Sequence, residues 1–222
     1  IDGNGNAVVS IGTETAGSLV APAGVMSLVA MKPSAGLVSG EGVIPLIRSN
    51  DGAGPMARSV RDAALLLAAA DTAEVDYVAG LAPEALTGIR VGVLAQDMAQ
   101  AGDLAGASTR TGATLAMLGA EMVPVTLDDP SGTVMQFFAY LGAGMRFDMM
   151  PVITALRPEL ASLEDLIAWN AADPGARIPF GQDLLTTYAP LAKGFTLQDH
   201  ADMTVDMTAA TTAALDRAFA AA

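Results

Sequence analysis

The chain has 222 residues, of which 52% are hydrophobic and 16% charged, so it can bury a substantial core and is not disordered throughout. Its formal net charge is −13, and such an acidic surface repels phosphate backbones, which argues against a nucleic-acid partner. The absence of cysteine excludes disulfides, thiolate zinc sites and a cysteine nucleophile, and the single histidine excludes histidine-rich metal sites.

No membrane span or leader is expected. The longest charge-free apolar stretch, residues 15–31, is interrupted by Gly17, Pro22 and Gly24. No basic segment followed by an apolar one indicates a signal peptide. The lack of cysteine does not decide the compartment, although a cytoplasmic location is favoured. The chain begins without methionine and its last helix lacks a capping signal, so we expect a piece of a longer protein.

Periodicity and capping residues predict the elements in chain order. The sequence predicts a strand over 7–12, an extended loop-rich region over 13–58 and a helix over 60–70 with Ser59 as N-cap. A polar connection over 71–87 leads to a strand over 88–95. A helix over 103–118 with Gly119 as C-cap and a strand over 121–127 follow. The last third is predicted to be helical over 131–149, 163–171 (N-cap Ser162), 180–190 and from Leu197 to the end. The strand–helix–strand order is typical of a layered α/β fold.

A glycine-rich turn, Gly12–Ser18, follows the first strand and is the best candidate for chemistry. Such a turn directs several backbone N–H groups at one point, which suits a phosphate or a developing oxyanion. A Walker A loop is excluded because Ser18 stands where that motif requires lysine. The oxyanion interpretation leaves Ser18 as a nucleophile, but on its own such a turn is more often structural.

The turn is the first of several short motifs that follow one another in the sequence. Five blocks occur in order: Gly12–Ser18, Pro22-Ala23, Lys32–Gly36, Gly42–Pro45 and Asp51–Asp62. Together they resemble the signature region of the amidase signature family. Glu14-Thr15, Val20 and the stretches 164–168 and 180–182 are most similar to the peptide-amidase branch.

The resemblance implies a fold and a chemistry. It implies an α/β fold with a mixed β-sheet flanked by helices, and residues 1–222 as part of a single amidase domain. In that domain residues 1–70 would form the signature region with the nucleophile loop, and residues 71–222 a strand–helix–strand unit and a helical region. Family members hydrolyse amides with a Ser–Ser–Lys triad and need no cofactor or metal. By position, Ser18 corresponds to the acylated nucleophile, and Thr15, Ala16 and Gly17, with the Ser18 N–H, to the oxyanion hole.

The chain also departs from the family pattern. The bridging serine and the catalytic lysine of the family would both precede the first residue, and Lys32 stands at a different position in the motif. Ala16 replaces the usual glycine or aspartate, which retains a backbone donor but no side-chain contact. We therefore expect an internal fragment that carries the nucleophile without its base, and whose partners include the missing flanking segments of the same enzyme.

Other polar residues near the turn have structural interpretations. Glu14 is expected to hydrogen-bond nearby backbone groups, although it can also shape the site. Asp51 and Arg58 flank a Gly-Pro turn and are expected to hold that loop by a buried ion pair or by backbone hydrogen bonds. Lys32 is expected to contact solvent or a backbone carbonyl rather than act as a base.

Residues later in the chain are less specific. His200 is predicted to be exposed because it stands in a polar helix start. Trp169, Phe180 and Tyr188 suit a substrate cleft and a hydrophobic core equally well. The methionine cluster Met145, Met149 and Met150 is expected to pack in the core, with a substrate groove as the alternative.

The favoured function is hydrolysis of a carboxamide, either a C-terminal peptide amide or another small primary amide, through an acyl-enzyme at Ser18 of the intact parent. The substrate is thus a small molecule or peptide, with no nucleic acid and no membrane involved. Two alternatives stay open: an amidotransferase A-type subunit that passes ammonia to a partner, and a non-catalytic binding or structural protein on the same scaffold. The chain alone is expected to be inactive.

Overall fold

The structure is a computed structural model that describes residues 8–73, 75–82, 86–94, 105–127 and 131–220. Its contacts divide the chain into two compact units. The first unit comprises residues 1–78 and 135–204, and the second comprises residues 79–134 and 205–222. The prediction of a single domain stays a prediction.

The first unit contains a three-stranded antiparallel sheet that positions the glycine-rich turn. Strand β1 (Val9–Glu14) and strand β2 (Val29–Ala30) both pair with the central strand β3 (Gly52–Ala57). The predicted strand over 7–12 exists, but it extends to Glu14 because β3 pairs with it as far as that residue. Residue 7 lies outside the described residues.

Strand β3 lies within the region that was predicted to be loop-like, so that prediction is wrong there. The strand is glycine- and proline-rich because its neighbours approach its backbone closely. A Cβ atom on Gly54 would lie 2.1 Å from the Met31 carbonyl oxygen. Gly54 is paired with Gly12 of β1, and the fully buried Leu19 side chain packs against both glycines. Only glycine fits this site, which strand propensity alone disfavours.

Two helices frame this sheet. Helix α1 (Val20–Val25) follows the glycine-rich turn, and helix α2 (Val60–Ala70) follows β3. Ser59 is the N-cap of α2, as predicted, because its hydroxyl accepts a hydrogen bond from the Asp62 N–H at 3.1 Å. Helix α2 buries Ala63, Ala64 and Leu67.

After α2 the chain forms a strand–helix–strand unit, and the remaining elements are helical. In order it forms β4 (Arg90–Leu94), α3 (Ala105–Met117), β5 (Glu121–Val125), α4 (Ser131–Gly144), a π-helical turn (Met145–Met149), α5 (Met150–Leu156), α6 (Leu163–Ala171), α7 (Pro174–Arg177), α8 (Asp183–Tyr188), a 3-10 turn (Ala189–Ala192) and α9 (Leu197–Ala220). Residues 95, 103 and 104 of the predicted strand and helix lie outside the described residues.

The helical core of the first unit is built on methionine. Met145 and Met150 are buried with Leu163 and Ala189, and Met149 packs against them. The core interpretation of the methionine cluster is therefore confirmed. Helix α6 begins at the predicted cap: the Ser162 hydroxyl accepts from the Asp165 N–H and the Asp165 carboxylate accepts from the Ser162 N–H.

The second unit confirms the predicted strand–helix–strand order. Strands β4 and β5 pair in parallel, and α3 connects them. Gly119 has a φ of +96°, which suits the glycine that ends the preceding helix. The described strands thus lie in two sheets, one antiparallel and one parallel, and the predicted α/β class with flanking helices is confirmed. In the part of the chain that the structure describes, none of the helices is both long and apolar enough to span a bilayer.

The close approach at Gly54 gives a test of the packing. Gly54→Ala forces a methyl group against the Met31 carbonyl, and we expect it to lower the free energy of unfolding by about 1–3 kcal/mol. Urea unfolding measures this value. Gly24→Ala is the matched control, because nothing lies within 4 Å of a Cβ atom there, and we expect it to leave stability unchanged or raise it by up to about 1 kcal/mol. Equal stabilities for the two variants would contradict the packing account.

Candidate active site

The candidate nucleophile lies in a tight connection between β1 and α1. Gly17 has a φ of +93°, a conformation that residues with a side chain rarely adopt, and its carbonyl accepts a hydrogen bond from the Ala21 N–H at 2.8 Å. Ser18 is exposed just before the helix, while the next residue, Leu19, is fully buried. The buried Leu19 side chain thus anchors a turn whose serine hydroxyl faces outward.

The Glu14 carboxylate binds backbone N–H groups at the end of this turn and the start of α1. The residue is buried, and its Oε2 atom accepts hydrogen bonds from the N–H groups of Leu19 at 2.8 Å and Val20 at 3.0 Å. The backbone hydrogen bonds expected of Glu14 are present, and the residue also borders the cavity described below. Burial alone would raise the pKa of this carboxyl, but the backbone N–H groups of Val20, Gly17 and Leu19 and the charge of Lys32 together lower the pKa below its ordinary value.

Lys32 contacts the same turn from the other side. Its Nζ atom donates to the Thr15 carbonyl oxygen at 2.6 Å. This is the carbonyl contact that the sequence predicts.

Asp51 connects the turn to a second loop. Its Oδ1 atom accepts from the Thr15 hydroxyl at 2.5 Å, and its Oδ2 atom accepts from the N–H groups of Leu46 at 2.7 Å and Ile47 at 3.1 Å. Asp51 therefore holds its loop by backbone hydrogen bonds, one of the two arrangements expected. Arg58 does not take part: it is exposed, and the described residues include no ion pair between Asp51 and Arg58. The alternative, an ion pair with Arg58, does not form, because Asp51 precedes the extended strand β3 and Arg58 follows it, so the two lie at opposite ends of that strand.

A cavity of about 510 Å³ opens beside this arrangement. Its polar side includes Thr15, Ser18 and Asp51. The opposite side is formed by the cavity loop (residues 38–48), whose lining residues are mostly apolar: Val38, Val43, Ile44, Pro45 and Leu46, together with Gly40, Glu41 and Arg48. The site thus offers a serine hydroxyl at the edge of a partly apolar cleft.

Of the other predicted oxyanion donors, not all border the cavity. Ala16 and Gly17 do not border the cavity, whereas Thr15 does. The Gly17 N–H lies against the Glu14 carboxylate. The N–H groups of Ala16 and Ser18 have no hydrogen-bond partner among the residues that the structure describes, so they are available to an oxyanion. The oxyanion role of these residues stays a prediction.

Residues predicted to be near a cleft lie elsewhere. Phe180 is 99% exposed, Tyr188 packs against the methionine core and stacks on Phe138, and Trp169 lies against the guanidinium of Arg177. None of the three predicted aromatic residues borders the cavity described above. Over the described ranges, no three acidic or histidine side chains come together as metal ligands.

The prediction that His200 is exposed is wrong. The residue is 6% exposed, and its Nε2 atom lies 3.1 Å from Asp148 Oδ2. The prediction failed because Asp148 is 52 residues away in sequence and no local pattern connects the two. Sequence reasoning also did not identify the cavity loop as the second wall of the site. The apolar run Val43–Leu46 was its available signal.

The comparisons with known proteins identify the class. A family model described as Amidase matches residues 3–173. The native peptide amidase from Stenotrophomonas maltophilia superimposes with a TM-score of 0.80 at 32% identity, over 97% of this chain and 47% of that one. The peptide amidase PAM in complex with the competitive inhibitor chymostatin gives a TM-score of 0.74 at 34% identity, over 90% of this chain and 43% of that one.

A further relative is named for a different activity, amide-group transfer. The A-type subunit of glutamyl-tRNA(Gln) amidotransferase from Nostoc sp. is 30% identical over 196 residues, which are 82% of this chain and 37% of the relative. The chain spans less than half the length of each of these relatives. The chain belongs to the amidase signature family, and its likeness to peptide amidases confirms the predicted branch.

The lowered pKa of Glu14 gives a test that depends on pH. A carboxyl with a lower pKa in the folded state contributes stability above its unfolded pKa and loses it as the pH falls through the folded pKa. We expect Glu14→Gln to lower the free energy of unfolding by about 1–2 kcal/mol at pH 7, and this difference to shrink between about pH 5 and pH 3. Urea unfolding at several pH values measures both effects.

Glu41→Gln is the control for that experiment, because Glu41 is an exposed carboxylate near the same cavity. We expect it to leave stability about the same at every pH. A Glu14→Gln effect that stays constant down to pH 3 would show that the charge of Glu14 does not stabilise the turn.

Proposed function

We propose that the protein hydrolyses a carboxamide through an acyl-enzyme intermediate at Ser18. The observation that carries this proposal is the placement of Ser18: an exposed hydroxyl in a strand–turn–helix connection, at the wall of a cavity, beside unpaired backbone N–H groups. Membership of the amidase signature family supports the same chemistry.

The proposed reaction has two stages. The Ser18 oxygen attacks the amide carbonyl carbon as its proton passes to a base, and the carbonyl oxygen becomes an oxyanion. The N–H groups of Ala16 and Ser18, with that of Thr15 in support, stabilise that charge, while the Gly17 N–H binds the Glu14 carboxylate. The carbon–nitrogen bond then breaks, ammonia or an amine leaves with the proton, and an ester to Ser18 remains. Water attacks this ester in turn, releasing the carboxylic acid and restoring the serine.

The base is the part of the site that we place outside this chain. Lys32 already donates to the Thr15 carbonyl at 2.6 Å and does not border the cavity, so we do not assign it as the base. Ser18 has no side-chain hydrogen bond in the described part of the chain. The family resemblance assigns proton transfer to a bridging serine and a lysine, and we place both outside these 222 residues.

The substrate that we propose is a C-terminal peptide amide or another small primary amide. The apolar lining of the cavity loop suits a hydrocarbon acyl group, and the cavity volume of about 510 Å³ lies within the range of small-molecule sites. The structural likeness to peptide amidases supports this class of substrate.

A second candidate is an amidotransferase A-type subunit, which would release ammonia from an amide for use by a partner protein. The 30% identity to the Nostoc amidotransferase over most of this chain favours it. Glutamine-dependent activity and a co-purifying partner protein would identify this function, whereas turnover of peptide amides by the protein alone would identify the hydrolase.

The nucleophile is tested by substitution in the full-length protein. We expect Ser18→Ala to lower kcat/KM for an amidated peptide by about 10⁴-fold or more and to abolish labelling by a fluorophosphonate probe. Ser34→Ala is the control, since Ser34 is exposed in the same region and does not border the cavity, and we expect it to leave both readouts unchanged. Full labelling of Ser18→Ala would overturn the proposal. If even the unsubstituted protein resists labelling, a non-catalytic protein on this scaffold is the better account.

The proposed location of the base gives a separate prediction. The 222-residue chain alone is expected to release no ammonia from an amidated peptide above the level of its Ser18→Ala variant, because a serine without a base is a poor nucleophile. An ammonia assay on the purified chain makes this measurement. Hydrolysis by the chain that disappears in Ser18→Ala would show that a group within these residues serves as the base.

A further inference from the structure

A second carboxylate, in addition to Asp51, binds the backbone of the cavity loop. Asp148 lies in the π-helical turn Met145–Met149, and such turns occur frequently at functional sites. Its Oδ2 atom accepts a hydrogen bond from the Arg48 N–H at 3.0 Å. Asp148 thus binds the backbone of a residue that lines the cavity beside Ser18.

The buried His200 orients this carboxylate. His200 Nε2 lies 3.1 Å from Asp148 Oδ2, and the imidazole packs against the rings of Tyr140 and Phe147 at centroid distances of 5.3 and 5.8 Å. The other ring nitrogen, Nδ1, is buried and has no hydrogen-bond partner among the described residues. In that part of the chain, Asp148 is therefore the one polar group that the imidazole ring nitrogens bind.

The two carboxylates together fix three successive N–H groups of the cavity loop. Asp51 binds those of Leu46 and Ile47, and Asp148 binds that of Arg48. The helix that precedes the π-helical turn approaches so closely that a Cβ atom on Gly144 would lie 2.2 Å from the Leu46 carbonyl oxygen. The backbone of the loop is thus bound by two carboxylates and packed against this helix.

The same contacts continue to the candidate nucleophile. Asp51 also binds the Thr15 hydroxyl, and Thr15 belongs to the turn that presents Ser18. Two sets of hydrogen bonds, joined by the Leu46–Arg48 backbone, therefore connect His200 and Asp148 to Asp51 and that turn.

We propose that Asp148, oriented by His200, is a positioning residue that fixes the Leu46–Arg48 segment of the cavity wall for substrate binding. It touches no reacting atom and acts through Arg48, whose N–H it binds at 3.0 Å and whose exposed Nε lies 4.0 Å from Asp148 Oδ1. This inference rests on the proposed amide hydrolysis at Ser18. Because the substrate contacts the wall in the ground state and in the transition state alike, loss of positioning weakens binding more than it slows the chemical step.

The kinetic test uses two substitutions in the full-length protein. Asp148→Ala removes the acceptor of the Arg48 N–H, and we expect KM for an amidated peptide to rise about fivefold or more while kcat changes by less than about twofold. Asp148→Asn keeps an amide oxygen at the same place, so we expect its KM to stay near the unsubstituted value. A merely structural role would instead lower kcat by reducing the amount of folded enzyme and leave KM unchanged.

A second readout does not depend on activity. Trypsin cleaves after Arg48, and release of the loop from Asp148 exposes that bond. We expect Asp148→Ala to be cut there about fivefold faster or more under native conditions, and Asp148→Asn at the unsubstituted rate. Glu159→Ala is the matched control, since it removes a carboxylate from the exposed Arg157–Glu159 ion pair, and we expect no effect on KM or cleavage.

A further variant keeps the inference testable if Asp148→Ala does not fold. His200→Leu leaves the carboxylate in place without its partner, and we expect KM and the cleavage rate to change in the same direction but by less. Unchanged KM and unchanged cleavage in the folded variants would overturn the inference. If Ser18→Ala retains turnover, the proposed function fails instead, while the cleavage rates still show whether Asp148 holds the loop.

Discussion

The Asp51 carboxylate is the interaction on which the geometry of the site depends. It binds the hydroxyl of Thr15 in the turn that carries Ser18 and two N–H groups of the cavity loop. The nucleophile and the opposite wall of the cleft are therefore fixed relative to one another by one side chain. Because Asp51 immediately precedes β3, its own position is set by the pairing of that strand with β1. A carboxylate with this many donors is costly to disturb, since each N–H left unpaired would lose a hydrogen bond.

Close backbone packing and the buried Glu14 carboxylate act together in this unit. Gly12 and Gly54 leave room for Leu19, which anchors the turn from within the sheet, and Glu14 accepts the first N–H groups of the following helix. The negative charge of Glu14 lies at the N-terminal end of a short helix, where the peptide dipoles favour it. The turn is consequently rigid at both ends, and the serine hydroxyl is presented at a fixed place, as catalysis by preorganised N–H groups requires.

Local sequence patterns predicted most of the secondary structure, but not the contacts between distant residues that support the site. Both serine caps and the parallel strand–helix–strand unit were predicted from the sequence, because hydrogen bonds between near neighbours and simple periodicity determine them. Strand β3 was missed because its glycines are explained only by the chain segments that pack against them. The backbone roles of Glu14, Lys32 and Asp51 were predicted, whereas the burial of His200 was not, since its partner Asp148 is distant in sequence. The expected Asp51–Arg58 ion pair failed for a different reason: the extended strand β3 separates the two residues, which local spacing in the sequence does not reveal.

The central claim is that Ser18 becomes acylated during turnover. The most direct measurement is rapid acid quenching of the full-length protein while it turns over an amidated peptide, followed by mass spectrometry of the fragment that contains Ser18. The account predicts a population of that fragment heavier by the mass of the acyl group less one hydrogen, located on Ser18 and absent from the Ser18→Ala variant. An adduct on a different residue, or steady hydrolysis that persists in Ser18→Ala, would contradict it.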